Sequence, residues 1–332
     1  MENATKNQHF ISQSEQRSNC IDESVSKDKR RIFKFSIVDR EEHSIRLDGL
    51  DGVKIKKNLS FSDLFSFDVQ DVSLRKNLET FFHKHEVDLD QASRALIAAA
   101  QSRADIATVT ELAVKVLKSK LMGIVRNPFC ISGTTGMFNP YLGVNPTDPQ
   151  FLKEFKTIRD GVKPHLEKVC LQYEVSPEQY LDWLQIIFLS LMIPPGADGS
   201  MLESMADSLM DSPGKMCHLI IATFDDVEGC RVALPDTSYL QGTQDPHHNM
   251  FMFNLNKNAY AAFSFVDVAK QTMVPVPAVL RERGSLLGLG FSYQIHHNDM
   301  QVLENFNALA VYQSKNHVFC ADKSIYGVNC LN

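Results

Sequence analysis

The sequence has no apolar run long enough to span a bilayer, and its start lacks the basic segment and apolar core of a secretory signal. A membrane-spanning protein is therefore not expected. There is no C-x-x-C pair: Cys20, Cys130, Cys170, Cys217, Cys230, Cys320 and Cys330 are scattered and odd in number. That excludes a disulfide framework or a zinc ribbon and points to a reducing, cytoplasmic-type environment. There is no excess of positive charge either. The net charge is -6, and the basic runs at residues 27–31 and 54–57 are short. A general nucleic-acid binder is excluded on that ground, so no nucleic-acid partner is expected. No segment repeats at a fixed period.

What is present is ordinary globular material. Apolar residues make up 44% of the 332 and charged residues 22%, enough for a sizeable core without disulfides or metals. Residues 1–29 are rich in Ser, Asn, Gln, Glu and Lys and poor in Leu and Val. Such a stretch buries too little apolar surface to offset its ordering entropy and reads as a disordered tail. Its composition is similar to the polar leaders of bacterial effectors, which implies delivery into a host cell by a signal-peptide-independent route.

Along the chain the period changes twice. Residues 31–38 alternate like a half-buried strand; 43–47 and 53–57 continue the pattern between Asp-Gly turns, predicting a small β-meander. From residue 73 the spacing becomes helical, with helices expected over 90–104 and 108–122. Residues 127–150 are dense in Gly, Pro and Asn and read as a boundary or long loop. The SGTTG segment within it lacks the lysine of a phosphate loop. Helical patterns return over 148–174, interrupted near Gly161 and Pro164. Ser176-Pro177-Glu178-Gln179 then signals a helix start, and Tyr180 to Leu191 is apolar almost all round. A methionine-rich amphipathic helix is expected over 200–210. Beyond Pro213-Gly214, strands are expected at 217–224, 230–234, 249–255, 261–266, 287–295, 309–313 and 317–320. Helices followed by strands predict an α+β fold with a largely antiparallel C-terminal sheet. The expected divisions are a tail at 1–29, a small sheet with helices at 30–125, and an α+β region at 126–332.

One stretch combines the parts of a reactive site. After the apolar run 218–224 and the acidic corner Asp225-Asp226, Gly229-Cys230 opens a short apolar segment; His247-His248 then stand before another. A thiol needs a base beside it to act as a nucleophile, and two residues heading neighbouring strands can meet. Gly229 permits a tight turn with free backbone N–H groups, the donors of an oxyanion hole. This order resembles the glutamine deamidases of the cytotoxic-necrotizing-factor type: an apolar strand, then Ser-Gly-Cys, then a histidine at the next strand, with a threonine upstream in some members. Glu228 stands where that pattern has its serine. The resemblance covers about forty residues and implies Cys230 as nucleophile, His247 as base and Thr223 as a further site residue. It also implies a host protein glutamine as substrate and no cofactor.

Two other readings compete. The pairs His247-His248 and His296-His297 are each followed by Asn. One histidine from each, with Asp245 or Asp299, would make a two-histidine, one-carboxylate metal site in which His248, His297 and Asp299 are the ligands. The polar leader, small sheet and helical middle also suit a non-catalytic protein-binding effector or scaffold. Asp225-Asp226-Val227-Glu228 reads as a solvated turn.

Overall fold

The computed structural model describes residues 5–69, 75–211, 214–243, 245, 247–267, 270 and 290–331. In chain order its first elements are β1 (Asn7–His9), α1 (Gln13–Arg17), β2 (Arg31–Asp39), β3 (Ser44–Leu47), β4 (Val53–Lys54), β5 (Ser60–Ser62), β6 (Ser66–Val69) and β7 (Arg75–Asn77). The helical middle follows: α2 (Glu79–Gln101), α3 (Ile106–Val125), α4 (Ile131–Met137), α5 (Pro149–Asp160), α6 (Leu166–Tyr173), α7 (Pro177–Leu191) and α8 (Met201–Asp211). Then come β8 (Lys215–Thr223), β9 (Leu234–Pro235), β10 (Leu240–Gln241), β11 (His248–Asn256), β12 (Ala259–Asp267), β13 (Phe291–His297), α9 (Met300–Gln313), β14 (His317–Cys320) and β15 (Asn329–Leu331). The fold is α+β.

The strand order β10-β11-β12-β8-β13 defines the sheet that organises the rest. It is antiparallel except where β13 runs parallel to β8. Side chains alternate faces along a strand, and here each face has its own core. Leu219 and Ile221 of β8, with Ala261, Phe263 and Phe265 of β12, point to the helices. Ala222, Tyr260 and Ala262 point the other way, onto Leu303, Phe306, Ala310 and Val311 of α9. Covered on both sides, β12 has no exposed residue and its sequence is almost wholly apolar.

Behind α9 lies the second sheet, ordered β15-β3-β2-β14-β9. Strands expected within 31–57 form, β3 and β4 each pairing with β2, and the C-terminal β14 extends their sheet by pairing Val318 with Phe35. The expected division at residue 125 therefore does not separate two cores. One hydrophobic cluster runs from Phe10 to Phe319, and Trp183 Nε1, at 0% exposure, donates to the Val125 carbonyl at 2.7 Å. That bond anchors α7, whose start carries a reciprocal cap between Ser176 and Gln179.

Three further expectations are corrected. Residues 5–20 are not a tail: β1 pairs with β5, and Gln8, Phe10, Ile11, Ser12, Glu15, Gln16, Asn19 and Cys20 are buried. Their polar groups are matched inside the protein, as where the Asn19 and Asn254 amides donate to each other at 2.8 and 2.9 Å. Residues 230–233 form a loop, with only Leu234-Pro235 in a strand. Residues 309–313 belong to α9, where burial of Leu303, Phe306, Asn307, Ala310 and Val311 follows helical spacing. The expected strand residues 287–289 lie outside the described residues.

Candidate functional site

The structure does not bring Cys230 and His247 together. Val232 donates to the Lys257 carbonyl, which holds Cys230 near the exit of β11. His247 lies before its entrance, where its carbonyl accepts from Asp267 at 2.9 Å. Nine strand residues separate these ends, ~30 Å at about 3.3 Å each. Cys230 is half-buried against the α9 core, and no hydrogen bond among the described residues joins it to a histidine. The backbone donors at the turn are also taken: Gly229 donates to Asp322 Oδ2 at 2.6 Å, and Cys230 donates to the Val227 carbonyl at 3.2 Å.

Thr223 has a different histidine beside it. At the shared end of β8 and β13 its Oγ1 lies 3.2 Å from His297 Nδ1, whose Nε2 is 3.7 Å from Asp225 Oδ1. The imidazole and carboxylate are 58% and 62% exposed. Ion pairs so solvated contribute ~0–1 kcal/mol, so this chain holds a surface corner together and little more. The metal reading fails on placement. His248 binds Ser264 Oγ at 2.7 Å at the opposite end of the sheet from His297, and Asp299 caps α9 through the Val302 N–H. Among the described residues no three His, Cys, Asp or Glu side chains group to hold a metal ion.

Unsatisfied chemistry sits elsewhere, where β1 meets the N-terminus of α2 and the C-terminus of α3. Arg126, the C-cap of α3, is 2% exposed. It pairs with Glu86 of α2, donates through Nε to the Phe10 carbonyl at 3.0 Å, and lies 5.3 Å over the Phe82 ring. Two groups in its field lack partners. His9 Nε2 and Glu79 Oε1 are shielded from solvent and, among the described residues, accept no hydrogen bond and donate none. Buried polar atoms are nearly always matched; these are two of eight such atoms among the described residues, and they share the field of one buried guanidinium.

The environment drives these two groups toward their neutral forms. Burial lowers His9 below the usual histidine value; its hydrogen bond to the Ile55 backbone pulls upward, while Arg126 pushes down and Glu86 up. Burial pushes Glu79 up to about 7, against the attraction of Arg126 and with the repulsion of Glu86. Glu79 opens α2, where the helix dipole favours the anion by ~0.3–1 kcal/mol. Its rise from 4.5 to about 7 shows that desolvation wins. Near neutrality the site therefore holds an imidazole with a lone pair and a carboxylic acid with a proton to give. Sequence reading missed both because His9 lay in the supposed tail. The available signal was Glu79 itself, a carboxylate between Leu78 and the pair Phe81-Phe82.

A stability test follows from the sign of the Glu79 shift. The folded value exceeds the unfolded one, so the folded state binds the extra proton between roughly pH 4.5 and pH 7, and stability falls as pH rises through that window. Above it the buried charge costs at most about 3 kcal/mol, at ~1.4 kcal/mol per pH unit. Glu79→Gln keeps the shape of the neutral acid. It should exceed wild type in urea stability at pH 8 and match it at pH 4; parallel pH profiles would contradict the burial argument.

No family model, curated protein or solved structure matches this chain, so the assignment of the site rests on its own chemistry.

Proposed function

We propose that this protein is a hydrolase working by general acid–base catalysis, with His9 as base and Glu79 as acid. The observation that carries the reading is the pair of unpartnered, solvent-shielded atoms, His9 Nε2 and Glu79 Oε1, held in the field of Arg126. In the proposed step a water oxygen bonds to the electrophilic centre of an ester while His9 Nε2 takes the water proton. The leaving oxygen departs with the bonding pair and receives the Glu79 proton. The Arg126 guanidinium favours the negative charge that develops between them. The proton on His9 then returns to Glu79, which closes the cycle.

The test is a pH–rate profile on a panel of carboxylic, phosphoric and sulfuric esters. Activity requires neutral His9 and protonated Glu79, so it should rise as His9 deprotonates and fall above about pH 7 as Glu79 ionises. Glu79→Gln, unable to donate, should remove the alkaline limb along with most of the rate. A profile flat between pH 5 and 9, or an unchanged Glu79→Gln enzyme, would exclude the assignment.

A second reading, a non-catalytic protein-binding effector or scaffold, has one observation in its favour. Met137, Met201, Met205, Leu209, Tyr239 and Phe251 line a cavity of about 710 Å³ between the helices and β11. Methionine-rich apolar grooves adapt to amphipathic helices. An intact protein inactive on every ester of the panel would favour that reading.

A further inference from the structure

The protein carries net negative charge, yet one of its cavities is cationic. A hollow of about 750 Å³ beside β1 is lined by Lys6, Lys56, Lys57, Lys168 and His165, together with Asn7. The lysines come from separate parts of the chain: the lead into β1, the turn after β4, and α6. Phe61 forms part of the wall, with Lys168 Nζ 5.4 Å from its ring centre. Asp28 and Asp63 approach the ring of charge. The first is 3.8 Å from Lys56 Nζ but 79% exposed, and the second is 3.8 Å from His165 Nε2. Water screens the exposed pair, so most of the positive charge is left for a ligand.

Strand β1 links the hollow to His9, which is not itself a wall residue. Asn7 and His9 share one face of β1 and sit opposite Ser62 and Ser60 of β5, two more wall residues. Asn7 Nδ2 donates to the Lys56 carbonyl at 3.2 Å, and the Ile55 and Lys56 backbone lies close enough to the His9 ring to raise its value. One turn, Ile55–Lys57, thus carries two of the lysines and flanks the imidazole. The volume lies within the ~300–1,000 Å³ usual for small-ligand sites. Converging ammonium groups match the spread charge of phosphate better than that of a single carboxylate.

We propose that this hollow is an anion site for a phosphodiester of dinucleotide size, and that it seats the substrate of the acid–base centre. The proposal rests on His9 and Glu79 acting as described above. Water oxygen then bonds to phosphorus, His9 takes its proton, the P–O bond to the leaving alcohol breaks, and Glu79 supplies that alcohol's proton. The products are a phosphomonoester and an alcohol.

The intact protein would be titrated calorimetrically with inorganic pyrophosphate, with a ribodinucleoside monophosphate, and with succinate as a dicarboxylate control. Hydrolysis of the dinucleotide would be followed in parallel by chromatography. Both phosphate probes should bind and succinate should not. Lys56→Gln and Lys168→Gln, exposed substitutions compatible with folding, should each weaken binding about tenfold, and added salt should weaken it further. His9→Asn should bind as wild type and fail to hydrolyse. Phosphate probes that bind no better than succinate, or binding indifferent to both lysine changes, would overturn the anion site. Binding that depends on the lysines, with no hydrolysis by wild type, would uphold the anion site and reject the acid–base reading instead.

Discussion

The His9→Asn protein should turn over the best ester of the panel about 10²–10⁴-fold more slowly than wild type, the usual contribution of a positioned base. Asparagine keeps a polar side chain that can still meet the Ile55 backbone, but it has no basic nitrogen where Nε2 stands. The folded state should survive, because β1 is held by its pairing with β5 and by buried Gln8 on its other face. Gln8 accepts from the Phe65 N–H at 2.5 Å and donates to Ser66 Oγ at 3.1 Å, and neither bond involves His9. Equal thermal midpoints with a collapsed kcat would locate the defect in chemistry. External imidazole restoring part of the rate would identify the missing group as a base. An unchanged kcat would remove His9 from the mechanism.

The second large effect concerns stability. Lys120 and Glu15 form an ion pair with side chains 2% and 5% exposed, and Lys120 Nζ also donates to the Asn254 carbonyl at 2.6 Å. Lys120→Met keeps the length of the chain but strands the Glu15 carboxylate among buried groups. Removing one partner of such a pair costs about 3–5 kcal/mol. Urea unfolding at pH 7 should show that loss in the single variant. Lys120→Met combined with Glu15→Gln should recover much of it, since no bare charge is left. A single variant within 1 kcal/mol of wild type would mean that Glu15 reaches water without Lys120.

Much of the fold is legible where local chemistry and periodicity agree. Ser176, Pro177 and Gln179 announce α7, and the structure gives the cap and the buried Trp183 that this start implies. The strands around Leu219, Phe253 and Phe263 follow from apolar runs. The reading fails where burial is carried by polar residues. Composition places Gln8, Gln16 and Asn19 in a disordered leader, but each is 0% exposed and hydrogen-bonded to a distant segment. A polar side chain matched across the core is indistinguishable, in sequence, from one in water. The Cys230–His247 spacing misleads for a related reason. Adjacency along the chain is not adjacency in space here, because β11 carries the two residues to opposite ends of the sheet.

The reciprocal amide pair of Asn19 and Asn254 has a consequence for biosynthesis. Its members are 235 residues apart. A ribosome adding about 5–20 residues per second delivers the later partner roughly 10–50 s after the earlier one. Until then Asn19 lacks its β11 partner, whereas Gln8 and Gln16 already have theirs at Ser66 and Asn58. The N-terminal segment therefore locks in two stages: β1, with His9, when β5 emerges, and the Asn19 end only when β11 arrives.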